Sequence, residues 1–73
     1  MSKTIYSEYH KYIVEKLKKA RNESGLCQKE VGKLLGRSQS YVSKIESGQR
    51  RIDVVCLKDF ARVYKKDISY FIK

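Results

Sequence analysis

Between Gln39 and Ser47 the chain carries a run of side chains suited to direct hydrogen bonding, within the longer stretch QKEVGKLLGRSQSYVSKIESG from Gln28 to Gly48. At about 100° per residue in a helix, Gln39, Ser40, Ser43, Lys44 and Ser47 gather within about 140° of arc, while Tyr41, Val42 and Ile45 fall opposite. The second group is built to dock a helix and the first to be displayed. The displayed groups have a definite chemistry. Glutamine pairs bidentately with adenine N6 and N7, lysine reaches guanine O6 or N7, and serine takes either role or holds a phosphate. A solvated surface face is the plain alternative. The hinge, the helix caps and the net charge favour display.

Three short elements must hold that face in place. Gln28 to Leu35 reads as a helix with Val31, Leu34 and Leu35 turned inward. Cys27 stands at its N-cap, where a thiol accepts hydrogen bonds poorly, and Glu30 is placed to reach back as in a capping box. Gly32, mid-helix, costs roughly 1 kcal/mol against alanine and marks close approach of a neighbouring backbone. Gly36 then stops the helix, Ser38 caps a third helix from Gln39 to about Ser47, and Gly48 closes it. A turn this short makes the two helices cross steeply.

The flanking segments read as support. From about Ser7 to Ser24, Tyr9, Ile13, Leu17 and Ala20 recur at helical steps, with Ser7 as cap and Gly25 as terminator. Ile5 and Tyr6 either extend this helix or pack back on it as a loose arm. Gln49 to Ile52 is a polar, basic connection, and Arg50 and Arg51 within it lie where flanking phosphates could be reached. Asp53 caps a fourth helix whose core stripe is Leu57, Phe60, Ala61 and Tyr64, with Val54 extending it. Asp67 caps a last turn containing Ile68, Phe71 and Ile72. With no proline, repeat or strand-like alternation, the expected architecture is all-α, a compact five-helix single domain over residues 1–73.

Composition narrows the function classes. A 73-residue chain has one small core. Its net charge of +9, from 17 basic residues spread along the chain against 8 acids, attracts polyanions. No apolar run is long enough to span a membrane, and MSKTIYSEYHK lacks a signal peptide's apolar region, so a cytosolic protein is expected. Cys27 and Cys56 are expected as reduced, small half-buried side chains and His10 as a surface or half-buried one; together they match no zinc spacing, so no metal or cofactor is expected. No nucleophile relay and no glycine-rich phosphate loop is evident, which argues against an enzyme. Several tyrosines fall on core faces, leaving no evident stacking platform for single-stranded RNA.

Gln28, Glu30, Val31 with Gly32, Gly36, Ser38, Val42, Ser43, Glu46 and Gly48 occupy the spaced positions of a known pattern. By these residues the chain resembles the Cro/repressor (XRE-like) helix-turn-helix family from about Leu17 to Phe71. The resemblance implies a compact repressor-like domain with its helix-turn-helix at about residues 28–48. It implies base reading in the major groove by Gln39, Ser40, Ser43 and Lys44, and phosphate contacts from Gln28, Ser47, Gln49, Arg50 and Arg51. Arg21 and Glu46 match a structural charge pair between the first and third helices. Cys27, Gly32, Arg37 and Lys65 depart from the pattern, standing where a Ser or Thr cap, an alanine, an apolar turn residue and a terminating glycine are usual.

The function so implied is a sequence-specific DNA-binding transcriptional regulator of repressor or controller type, in a prokaryotic, phage or plasmid setting. One small domain reads few base pairs, so a homodimer on a two-fold-symmetric site in double-stranded DNA is expected. Ile68, Tyr70, Phe71 and Ile72 are the candidate dimer surface, with a role as core lids the alternative. No membrane or small-molecule partner is evident. The competing reading is a protein-interaction module, an antitoxin or anti-repressor whose DNA binding is secondary.

Overall fold

In the computed structural model, which describes residues 8–72, five helices follow in order: α1 Glu8–Ser24, α2 Gln28–Leu35, α3 Gln39–Glu46, α4 Val54–Tyr64 and α5 Ser69–Ile72. The N-terminal cap at Ser7 and the segment with Ile5 and Tyr6 lie outside the described residues. None of the described helices is long and apolar enough to cross a membrane.

Each helix end has a local cause. The Cys27 backbone N–H donates to Glu30 Oε1 at 3.0 Å at the start of α2. That hydrogen bond, followed by one to the Cys27 side chain, holds the Glu30 carboxyl below its ordinary value. Gly36 ends α2 in the left-handed region at φ 71°, so Arg37 N–H can close on the Gly32 carbonyl at 2.8 Å. Ser38 Oγ accepts from Tyr41 N–H at 3.2 Å, and Asp53 Oδ1 accepts from Cys56 N–H at 2.8 Å, starting α3 and α4. Lys65 ends α4 at φ 56°, a left-handed conformation costing a non-glycine residue ~1 to 2 kcal/mol. There the Lys66 N–H closes on the Ala61 carbonyl at 2.9 Å. Asp67 Oδ1 accepts from Ser69 N–H, which holds that carboxyl low.

The core joins α1 to the other four helices through Leu17, Ala20, Val31, Val42, Ile45, Leu57, Phe60, Ala61, Tyr64 and Phe71. Phe60 is fully buried, with the Tyr41 ring stacked parallel at 6.5 Å and the Tyr64 ring tilted at 6.0 Å. The α4 stripe from Leu57 to Tyr64 is buried as its spacing predicts.

Three apolar positions depart from expectation. Tyr9 is 78% exposed, and Val14, at 6%, is buried in the same helix. The buried arc of α1, Val14, Leu17 and Ala20, is centred on Leu17, and Tyr9, though on Ala20's side of the helix, stands in the first turn, beyond the core. Leu34 is 60% exposed. The inward face of α2 runs through Val31, Leu35 and Gly32, and a pattern of large side chains overlooks the glycine at its edge. Val54 is 66% exposed, since it stands in the first turn of α4 before the helix enters the core.

Candidate nucleic-acid interface

The docking face of α3 is sealed. Val42 and Ile45 are fully buried and Tyr41 is half-buried. Glu46, on the same helix, is a charged residue inside the domain, its side chain 4% exposed. Arg21 Nε donates to Glu46 Oε2 at 2.7 Å and Nη2 donates to Oε1 at 3.1 Å, a two-pronged pairing. Gln28 Nε2 adds a third donor to Oε1 at 3.0 Å. Arg21 Nη1 donates to the Leu26 carbonyl at 3.1 Å, so one guanidinium ties α1, the α1–α2 loop and α3 together. The hydrogen bond to Glu46 raises the Arg21 pKa further above its ordinary value.

This anchoring turns the other face outward. Gln39, Ser40, Ser43 and Lys44 are all exposed, and among the described residues none of their side chains makes a hydrogen bond or ion pair. The short side chains of Ser40 and Ser43 let the α3 backbone approach a groove closely. A helix with its side chains is ~10–12 Å across, about the width of the major groove.

The other candidate positions are placed less uniformly. Ser47 is exposed and its hydroxyl donates to the Lys44 carbonyl at 3.2 Å. Gln49 is exposed, with its backbone N–H closing on the same carbonyl at 3.0 Å. The Arg50 carbonyl accepts from His10 Nε2 at 3.1 Å, which fixes the backbone after α3 against α1. Arg51 is exposed beside it. Gln28 is half-buried and one of its N–H groups serves Glu46, leaving the second for an external acceptor. Its structural role was not legible from its position at the helix start.

Two residues outside the sequence-derived set belong to the same surface. The Arg37 guanidinium lies 4.7 Å from the centre of the Tyr41 ring, and that of Arg50 lies 5.0 Å from it. The Tyr41 hydroxyl and Cys56 Sγ are 3.2 Å apart. Burial, followed by that hydrogen bond, pushes the Tyr41 hydroxyl up to about 12, and burial raises the Cys56 thiol as well. The pair is therefore neutral at physiological pH, and the guanidinium groups above the ring supply the local charge.

At the far end of the domain, Phe71 is fully buried, which removes it from the candidate dimer surface. Its ring meets Tyr70 edge-on at 5.0 Å and fills the core between α5 and α1. Ile68 and Tyr70 are half-buried, and Ile72 is 53% exposed.

Comparison with known proteins places this geometry. Residues 17–71 match the helix-turn-helix family. A solved structure described as an XRE-family like protein from Pseudomonas syringae pv. tomato is similar at a TM-score of 0.81 and 38% identity, over 86% of this chain and 77% of that one. The restriction-modification controller protein C.AhdI from Aeromonas hydrophila is similar at a TM-score of 0.75 and 25% identity, over 89% of this chain and 99% of that one. No curated protein matches the chain significantly.

Proposed function

Because this chain belongs to the helix-turn-helix family of XRE and Cro/repressor type, a family of DNA-binding, non-enzymatic regulators, we propose that it is a transcriptional regulator that recognises a specific DNA sequence with α3. One observation carries this reading. Four exposed polar side chains, Gln39, Ser40, Ser43 and Lys44, make no side-chain hydrogen bond or ion pair among the described residues, on a helix whose opposite face is locked by Val42, Ile45 and the Arg21–Glu46–Gln28 cluster. A face held rigid and left unsatisfied is suited to donate and accept at base edges.

In this mechanism, phosphate contacts set the register and α3 supplies the sequence preference. Gln28, Ser47, Gln49, Arg50 and Arg51 flank α3 and hold the backbone on either side of it. A domain of 36 × 25 × 20 Å covers one face of the duplex, so two copies on half-sites about one helical turn apart provide a longer recognition sequence. Ile68, Tyr70 and Ile72 contribute the apolar surface on which the copies meet. The likeness to a restriction-modification controller favours a controller or repressor role over one in which protein binding comes first.

Selection of bound duplexes from a random pool, paired with a mass measurement in solution, tests this directly. The expected result is a two-fold-symmetric motif with half-site centres ~10 base pairs apart and a particle of twice the chain mass. A recovered pool with no enriched sequence would remove the specific-recognition reading, and a strict monomer on an asymmetric motif would remove the dimer.

A further inference from the structure

We propose that Arg37 and Arg50 form a two-guanidinium clamp for a single DNA phosphate at the N-terminal end of α3, with the Tyr41 ring as the positioning residue beneath both. The inference rests on the DNA-binding reading and adds to it a residue from the α2–α3 turn and an aromatic support.

The two arginines come from opposite ends of α3. Arg37 lies in the turn that precedes it, Arg50 in the connection that follows it, and both guanidinium groups sit within about 5 Å of one ring centre. The ring is a fixed post. It stacks parallel to the fully buried Phe60, and its hydroxyl is held by Cys56 Sγ at 3.2 Å. Guanidinium groups seated on such a post lose less freedom on binding than the same groups on free side chains.

No direct ion pair ties up their charge: neither arginine makes one among the described residues. Arg37, Arg50 and the Tyr41 ring border one hollow together with Arg51, Asp53 and Asp59. The Asp53 carboxylate accepts from the Cys56 N–H, and that of Asp59 accepts from Arg62 Nη1 at 3.3 Å. The two arginines and the ring also border an open groove, lined by Arg37, Ser38, Ser40, Tyr41, Lys44 and Arg50, with no carboxylate. Its volume of about 290 Å³, against ~30 Å³ for a water molecule, admits a phosphodiester with its nearest waters.

The groove shares Ser40 and Lys44 with the displayed face of α3, so a phosphate bound there belongs to the strand whose bases α3 meets. Planar guanidinium forks match phosphate oxygens two at a time, and two forks converging on one groove set position as well as attraction. Arg37 stands where the family pattern usually has an apolar turn residue, so the clamp is a feature of this chain.

The test is fluorescence anisotropy with a labelled duplex carrying the selected site and with a scrambled duplex, across a salt series. Arg37→Ala is expected to weaken binding to both duplexes by the same factor, about tenfold near 0.1 M salt, and to lower the slope of log affinity against log salt by less than the ~0.9 of a whole phosphate, because Arg50 still holds it. Tyr41→Leu is expected to weaken binding, and adding Arg37→Ala to it should then cost less than it does in the wild-type background. Wild-type affinity and slope in Arg37→Ala would overturn the clamp alone, as would a shift in base preference without a change in slope. Full additivity of Tyr41→Leu and Arg37→Ala would overturn the positioning role. Failure of the wild-type protein to bind either duplex would overturn the clamp and the DNA-binding reading together. Competition by inorganic phosphate at millimolar concentration, equal for wild type and Arg37→Ala, would also count against it.

Discussion

Arg21→Ala is expected to lose about 3 to 5 kcal/mol of folding stability, the range for removing one partner of a buried ion pair. Glu46 is 4% exposed and the Arg21 side chain 18%, so water replaces little of what is lost. The variant would leave a carboxylate inside the domain with Gln28 Nε2 as its remaining side-chain donor. It would also free the Leu26 carbonyl that Arg21 Nη1 now satisfies. A domain of this size has ~4 to 11 kcal/mol in total, so much of the population would unfold near physiological temperature. Urea unfolding followed by circular dichroism measures the loss. Adding Glu46→Gln to Arg21→Ala removes the stranded charge and should recover part of it. A loss under 1 kcal/mol in Arg21→Ala would mean that the pair is a surface interaction and does not orient α3.

Gly32→Ala is expected to destabilise the domain by about 1 to 3 kcal/mol, the range for overpacking, although alanine favours a helix over glycine by roughly 1 kcal/mol. A Cβ at this position would stand 3.0 Å from the Arg37 carbonyl oxygen and from the Ser38 carbonyl carbon and oxygen. These are backbone atoms of the α2–α3 turn and of the residue capping α3, and no side-chain rotation can move them aside. Accommodating the methyl group shifts the start of α3 and loosens the Ser38 cap on Tyr41. Thermal unfolding decides the sign; a higher melting temperature would show that the turn yields at little cost and that the close packing of α2 on α3 is not a constraint.

Local chemistry was the readable part of this protein. Ser38 and Asp53 as caps, Gly36 as a left-handed terminator and the α4 stripe all depend on residues a few positions apart, and all are found in place. The close approach at Gly32 was legible for the same reason, because a glycine in a helix interior is costly without a neighbour that requires it. What escaped the sequence depends on how distant segments meet. How far along α1 the other helices reach is not recorded within α1, so Tyr9 in its first turn stays exposed while Val14 is covered. Size alone points Leu34 inward, whereas Gly32, nearly opposite it on the helix, makes the contact with the turn.

The surface around α3 divides in the same way. The separation of Gln39, Ser40, Ser43 and Lys44 from Tyr41, Val42 and Ile45 follows from helical phase alone. Tyr41's service to two arginines, the second hydrogen-bonding task of Gln28 and the His10–Arg50 contact arise only when α1, the turn and the post-α3 connection converge. An arginine in a helix-helix turn was the one available signal for the first of these. The left-handed Lys65 had no signal beyond the family pattern, which places a glycine near that point.

The central claim is that α3 reads bases with its exposed polar face. Selection from one random duplex pool, run in parallel with wild type, Gln39→Ala and Lys44→Ala, tests it most directly. Each variant is expected to keep the wild-type melting temperature and the rest of the motif. Each should lose preference at one base position per half-site, a loss of ~1 to 3 kcal/mol of discrimination. Motifs identical to wild type in both variants would contradict the claim and move sequence reading away from this face of α3.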